Sequence, residues 1–242
     1  MIRWFLFSPE MVRAILSDYK SQTRRIPKLR VLPSTCQGYD FDFRDKRGQW
    51  NSVTLDDMMS LELIPSPGDT LRVKEATWLW CYDEVGGLTP TGRPKHRYRP
   101  DATVAPRYVA TSSEPTEPPW QAEFVTPGWG WRYKTARFMP AWACRLELEV
   151  EFVRLEYLQD ITADDIRREG VTLPVSFDRR PLLRLTGKHM PSVMPKHPRD
   201  WTVDDYWRFE WINLWDGING ARPGGAWADD PFVVVIGFGR KG

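Results

Sequence analysis

The first hydrophobic positions recur at helical spacing. Met11, Val12, Ile15, Leu16 and Tyr19 mark one face, Ser8 is placed as an N-cap, and Pro9 suits the first helical position. A helix is therefore expected from Pro9 to about Lys20. The run Lys20-Ser21-Gln22-Thr23-Arg24-Arg25 falls at or just past its end, before Ile26-Pro27 forces extended geometry. Residues 31–66 show no sustained period apart from a short helix expected near Leu55–Leu61. After a turn at Pro65, Pro67 and Gly68, Leu71 and Val73 alternate with Arg72 and Lys74, as in a strand. A second alternation sets Leu146, Leu148 and Val150 against Glu147, Glu149 and Glu151; it predicts a half-buried strand whose acidic row is a solvated face rather than a metal site. Two further helices are signed at their starts. Thr162 and Asp165 make one capping pair, with Ile161 and Ile166 as a hydrophobic staple and Gly170 as the stop. Thr202 caps the other, with Trp201 and Tyr206 in the staple positions. The closing Val-Val-Val-Ile run reads as a strand buried on both faces. Between Tyr82 and Gly130 the period is lost: eight prolines lie from Pro90 to Pro127, and a long irregular excursion is expected.

Composition narrows the class. At 242 residues with 41% hydrophobic and 27% charged positions, the chain suits one large domain or two small ones with an ordinary core. No apolar run approaches the ~20 residues of a membrane span, and the N-terminus lacks a signal-peptide cleavage pattern. Three widely spaced cysteines, Cys36, Cys81 and Cys144, argue against a disulfide framework and for a reducing, cytoplasmic compartment. The net charge of +2 is uninformative, but its distribution is not. Arg179 to Arg199 holds six Lys/Arg, including Arg184 and Lys188, and no acid. A second cluster comprises Arg93, Lys95, Arg97, Arg99 and Arg107. Such loops suit a polyanionic partner, or are simply solvated. The three histidines have no partner at metal-ligand spacing, so neither a metal nor a cofactor is expected. A glycine-rich phosphate loop and a serine-hydrolase elbow are both missing.

Candidate chemistry concentrates in the early basic run. In a helical turn Lys20 and Thr23 share a face. A threonine hydroxyl is a poor nucleophile unless a base lies beside it, and a lysine whose pKa is lowered by burial or nearby positive charge can be that base. Arg24 and Arg25 supply such charge, or clamp a phosphate. The alternative is a basic helix C-terminus that complements the macrodipole, with no chemistry at all.

Five segments together resemble the ASCH-domain family, in its long phage and prophage form: "DYKSQTRR", "PGDTLRVKEATW", "FMPAWACRLELEV", "LQDITADDIRREGV" and "LWDGING" with "DDPFVVVIGF". They lie in the family's order and span residues 1–30, 67–80, 131–173 and 201–242, leaving insertions at 31–66, 80–130 and 174–200. The resemblance implies one domain over 1–242: an α+β, PUA-like fold with a small, mostly antiparallel β-barrel flanked by helices. The family motif Gly-x-Lys-x-x-Glu-x-Arg falls on Asp18, Lys20, Thr23 and Arg25, with aspartate and threonine replacing glycine and glutamate. A compact bacterial member carrying Lys-x-x-Thr is an amidohydrolase that deacetylates 4-acetylcytidine. By that resemblance Thr23 is the nucleophile, Lys20 its activator and Glu169 the completing carboxylate. Arg24, Arg25, Glu75, Trp78 and Trp131 are the expected substrate-binding residues. Glu75 either adds a second carboxylate at the same mouth or forms a salt bridge with an arginine such as Arg25. The implied partner is a nucleoside or nucleic acid, RNA ahead of DNA, and the alternative is a module that binds RNA or modified bases without chemistry.

Overall fold

The computed structural model describes residues 1–119, 128–173 and 201–241. Strand β1 (Ile2–Leu6) leads into α1 (Pro9–Leu16) and β2 (Gln22–Arg25). Three short strands, β3 (Arg30–Pro33), β4 (Phe41–Arg44) and β5 (Trp50–Val53), precede α2 (Leu55–Ser60). Then come β6 (Thr70–Lys74), β7 (Thr77–Leu88), β8 (Pro94–Pro100), β9 (Arg107–Tyr108) and β10 (Trp129–Lys134). The chain continues through β11 (Glu147–Tyr157), α3 (Ala163–Arg168) and α4 (Val203–Asn219) to β12 (Phe232–Arg240). The architecture is α+β with mostly antiparallel sheets, as expected. The closed barrel is not formed among the described residues. β1 pairs on one side only, with β6, and β2 on one side only, with β12, so both remain edges. No helix among these residues is long and apolar enough to cross a membrane.

Two compact units emerge, each assembled from distant segments. The first comprises Met1–Leu16, Thr70–Leu148 and Arg240–Gly242; the second comprises Ser17–Asp69 and Glu149–Gly239.

In the first unit β1 runs parallel to β6, from Ile2 opposite Thr70 to Leu6 opposite Lys74. Helix α1 begins as its sequence predicts: the Met11 N–H donates to Ser8 Oγ at 3.3 Å, and Val12 and Ile15 are buried. It stops at Leu16 rather than near Lys20, because Asp18 takes a left-handed conformation (φ 59°), which a helix cannot continue. Tyr19 is consequently off the helix and exposed. The expected excursion from Tyr82 to Gly130 is corrected for its described part. β7 continues to Leu88 and pairs antiparallel with β8 on one side and β10 on the other. The prolines had masked this ribbon. Pro94 and Pro100 sit at the two ends of β8, an edge strand, where a missing N–H costs little of the ladder.

In the second unit β12 runs antiparallel to β2, from Val234 opposite Arg25 to Gly237 opposite Gln22. Helix α3 carries the predicted capping box between Thr162 and Asp165, and α4 carries another between Thr202 and Asp205. Ile161 and Ile166 are buried in one cluster with Leu158, Trp211, Trp215 and Val233. The Trp201 and Tyr206 rings meet edge-on at 5.0 Å. The segment 31–66, read from sequence as aperiodic with one helix, also folds β3, β4 and β5 into an antiparallel meander. The basic stretch Arg179–Arg199, with Arg184 and Lys188, lies outside the described residues.

Gly237 tests the packing of the second unit. A Cβ there would lie 2.0 Å from the Phe152 ring, whereas one at Gly217 in α4 meets nothing within 4 Å. Gly237→Ala is expected to destabilise the fold by about 1–3 kcal/mol through overpacking. Gly217→Ala is expected to stabilise it by about 0.5–1 kcal/mol, as alanine does for glycine in a helix. Urea unfolding midpoints check both.

Candidate functional site

The early basic run is a strand, not a helix end. Ser21 N–H donates to the Arg168 carbonyl at 2.9 Å, and Lys20 forms an isolated antiparallel bridge with Glu169. The chain thus enters β2 already docked on the C-terminal end of α3. The three-residue spacing of Lys20 and Thr23 therefore loses its helical meaning. In a pleated strand Gln22 and Arg24 face one way, Thr23 and Arg25 the other.

Lys20 is 3% exposed, and its Nζ donates to the Glu169 carbonyl at 2.7 Å and to Glu169 Oε2 at 2.9 Å. The first contact satisfies a carbonyl at the negative end of α3, where a cation is favoured. Burial pushes the lysine's pKa down. The Glu169 charge and hydrogen bond oppose that, and the Arg25 and Arg24 charges add to it, leaving the pKa below its ordinary value. Arg24, with no exposed side-chain surface, spreads its fork over three carboxylates: Glu156 Oε1 from Nε at 3.1 Å, Asp165 Oδ2 at 3.2 Å and Glu169 Oε1 at 3.2 Å. Arg154 closes the set by donating to Glu156 Oε2 at 2.7 Å and Asp165 Oδ1 at 2.9 Å. Burial alone would raise the Asp165 pKa. Hydrogen bonds from Arg154 and Thr162, with the charges of Arg24 and Arg154, outweigh it and hold the carboxyl well below its usual range. Gln22 Nε2 also reaches Asp165 Oδ1, at 3.2 Å, while its Oε1 is buried without a hydrogen-bond partner among the described residues.

The structure brings together Lys20, Arg24 and Glu169 of the expected site, with Thr23 buried in the same strand. Arg25 is half-buried beside them, its pKa lowered by burial against the pull of Glu169. Glu75, Trp78 and Trp131 belong to the first unit and have partners there. Glu75 receives a two-pronged bond from Arg145, Nε to Oε1 at 2.8 Å and the terminal nitrogen to Oε2 at 3.0 Å, so its arginine is Arg145 and not Arg25. The Trp78 ring packs edge-on against Tyr133 at 5.2 Å, and Trp131 Nε1 donates to the Glu117 carbonyl at 2.8 Å. Sequence reasoning missed Glu156, Asp165 and Arg154 as members of the charged group. Asp165 was visible only as a capping residue, and it performs both tasks. No group of three or more His, Cys, Asp or Glu among the described residues is disposed to hold a metal ion.

Comparison adds no family. No family model, curated protein or solved structure matches the chain.

Truncating Glu169 strands two cations in a site that is almost sealed, with side chains 0% and 2% exposed for Lys20 and Glu169. Glu169→Ala is expected to cost about 3–5 kcal/mol, as breaking a buried pair does. The double variant Lys20→Met with Glu169→Leu should recover much of that loss, because two apolar side chains leave less charge unmatched. Thermal unfolding of wild type, single and double variants checks the pair.

Proposed function

We propose that the chain is a nucleoside-directed amidohydrolase of the ASCH type, removing an acyl group from the exocyclic amine of a modified base such as 4-acetylcytidine. The observation that carries this reading is the buried Lys20–Glu169 pair at 2.9 Å, two residues ahead of β2, the strand that carries Thr23. A lysine with a lowered pKa, held against a carboxylate, is a suitable acid–base group. Two of its three donor positions are engaged by Glu169, and the reading assigns the third to exchange with the Thr23 hydroxyl.

In the proposed sequence the neutral Lys20 amine takes the Thr23 proton as Oγ1 attacks the acyl carbon. The C–N bond then breaks, the proton passes to the departing exocyclic nitrogen, and the acyl group stays on Thr23 as an ester. Water hydrolyses that ester, releasing the acid and restoring the hydroxyl. Burial, helped by the Arg25 and Arg24 charges, keeps the lysine pKa low. The finer fold assignment, PUA-like, rests on the same resemblance; the pairing of the closing strand with β2 and the seat of α3 beside it are compatible with it. On this reading the ligand is a nucleoside or modified RNA met in the cytoplasm of a host bacterium.

A second reading, ligand binding without chemistry, is favoured by one observation. The pleat of β2 puts Thr23 and Arg24 on opposite faces, while Arg24 and Lys20 share the Glu169 carboxylate.

Incubation with 4-acetylcytidine decides between them. The amidohydrolase reading expects cytidine and acetate, lost by at least about a hundredfold in Thr23→Ala and in Lys20→Met. Only the neutral amine accepts a proton, so the rate should climb with pH through a Lys20 midpoint below the ordinary lysine range. Absence of turnover on acylated nucleosides, with saturable binding retained, establishes the second reading instead.

A further inference from the structure

The sheet β10-β7-β8 of the first unit borders a cavity that the chemistry at Lys20 does not use. In antiparallel strands, residues directly opposite share a face. Thr77 lies opposite Lys134, Cys81 opposite Pro100, and Asp83 opposite Tyr98. One face of the sheet therefore carries Leu79, Tyr98, Pro100 and Lys134. Met139 and Ala143 pack on Leu79 and Cys81, so the chain after β10 returns over this same face. Between the two lies a cavity of about 480 Å³, to which the returning chain contributes Thr135, Phe138 and Pro140. That volume falls in the lower half of the range for small-molecule sites.

The lining carries a single charge. Lys134 is its cation, and no Asp, Glu or His borders the cavity. The Lys134 ammonium stands 5.4 Å from the centre of the Tyr98 ring and has no carboxylate partner among the described residues. The acid on the same face, Asp83, is committed to His96 Nδ1 at 2.9 Å. A ring contact holds an ammonium in place but is weaker than a charge-assisted hydrogen bond, so the lysine's donors stay available. Tyr98 itself is a wall and not a stacking surface, because Arg132 at 4.7 Å and His96 at 6.2 Å also lie against its ring. Next to Lys134, Thr135 occupies the N-cap of the turn Ala136–Phe138, yet its hydroxyl makes no capping bond. The remaining surface is apolar: Leu79, Pro100, Pro140 and Phe138, the last 69% exposed at the rim.

An ammonium beside a hydroxyl supplies donors for the two oxygens of a carboxylate. A dianion would leave charge unmatched against apolar walls, and a neutral ligand would leave the ammonium unmatched. We infer that this cavity binds a small apolar monocarboxylate, with its oxygens on Lys134 Nζ and Thr135 Oγ1 and its hydrocarbon body against Leu79, Pro100, Phe138 and Pro140. The inference goes beyond the reaction proposed at Lys20 and does not rest on it, because every residue it uses lies in the first unit and its readout is binding alone.

Isothermal titration calorimetry of the full chain tests it with three probes. These are phenylbutyrate, its uncharged counterpart phenylbutanol, and acetate, which has the charge without the body. Phenylbutyrate should bind at least about tenfold more tightly than either of the others. Lys134→Met should weaken phenylbutyrate about tenfold and leave phenylbutanol unchanged, while Lys134→Arg, which keeps the charge, should stay within about threefold of wild type. Thr135→Val should weaken phenylbutyrate about threefold. Phe138→Ala should weaken acid and alcohol by the same factor, since it touches only the body. Lys134 is half-buried and Thr135 and Phe138 are exposed, so these variants spare the core, and melting temperatures confirm that they remain folded. If Lys134→Met melts early, the Thr135 and Phe138 variants decide. No binding of phenylbutyrate, equal affinity for phenylbutanol, inorganic phosphate competing as strongly as phenylbutyrate, or a folded Lys134→Met that binds like wild type would each overturn the inference.

Discussion

Arg24 at the centre of three carboxylates is the contact on which the second unit depends. A buried guanidinium survives only if its charge and its donors are matched, and here Glu156 from β11, Asp165 from α3 and Glu169 at the end of α3 supply the match. Lys20 and Arg154 bring the inner set to three cations against three anions. That balance explains why an unpromising sequence, Gln-Thr-Arg-Arg, forms a strand. Its alternate side chains must reach α3, and its backbone must complete the ladder with β12. It also explains why a six-residue helix is held in place. Its C-terminal carbonyls at Arg168 and Glu169 are taken by Ser21 N–H and Lys20 Nζ.

The same arrangement poises chemistry. A lysine enclosed with a carboxylate is held between two protonation states by opposed effects of similar kind: burial favours the neutral amine, and Glu169 favours the ammonium. Burial outweighs Glu169, and the Arg25 and Arg24 charges add to it, so the pKa lies below that of an ordinary lysine. Within the charged group the structural and functional readings thus use one set of contacts, and they differ only in whether the lysine exchanges a proton with Thr23.

Much of this fold was legible where the signal is local. The capping pair Thr162–Asp165, the Thr202 cap, the Leu148/Val150 alternation and the buried closing strand depend on residues within one element. Three features were not legible, for physical reasons. The run at Lys20 resembles a basic helix end because its partners, strand β12 and helix α3, lie far along the chain. The β7–β8 ribbon is hidden because Pro94 and Pro100 lower its apparent strand character, yet both sit at the ends of an edge strand. Asp165 was readable as a cap, but its ion pairs with Arg24 and Arg154 require tertiary contact. Of the site, Lys20 and Arg24 stand out in the basic run itself and Glu169 by resemblance, and the three are joined in one network. For Glu75 the structure shows the salt-bridge alternative, with Arg145 as the arginine, a partner seventy residues away in sequence.

The central claim is that Lys20 is held below the ordinary lysine range while in contact with Glu169. Its titration by heteronuclear NMR, following the Lys20 ε-carbon shift in selectively labelled protein, tests this most directly. A midpoint well below that of the exposed lysines, moved upward in Arg25→Gln, is the result the account predicts. A midpoint at or above that of the exposed lysines would contradict it, leaving Lys20 a permanent cation in a structural ion pair.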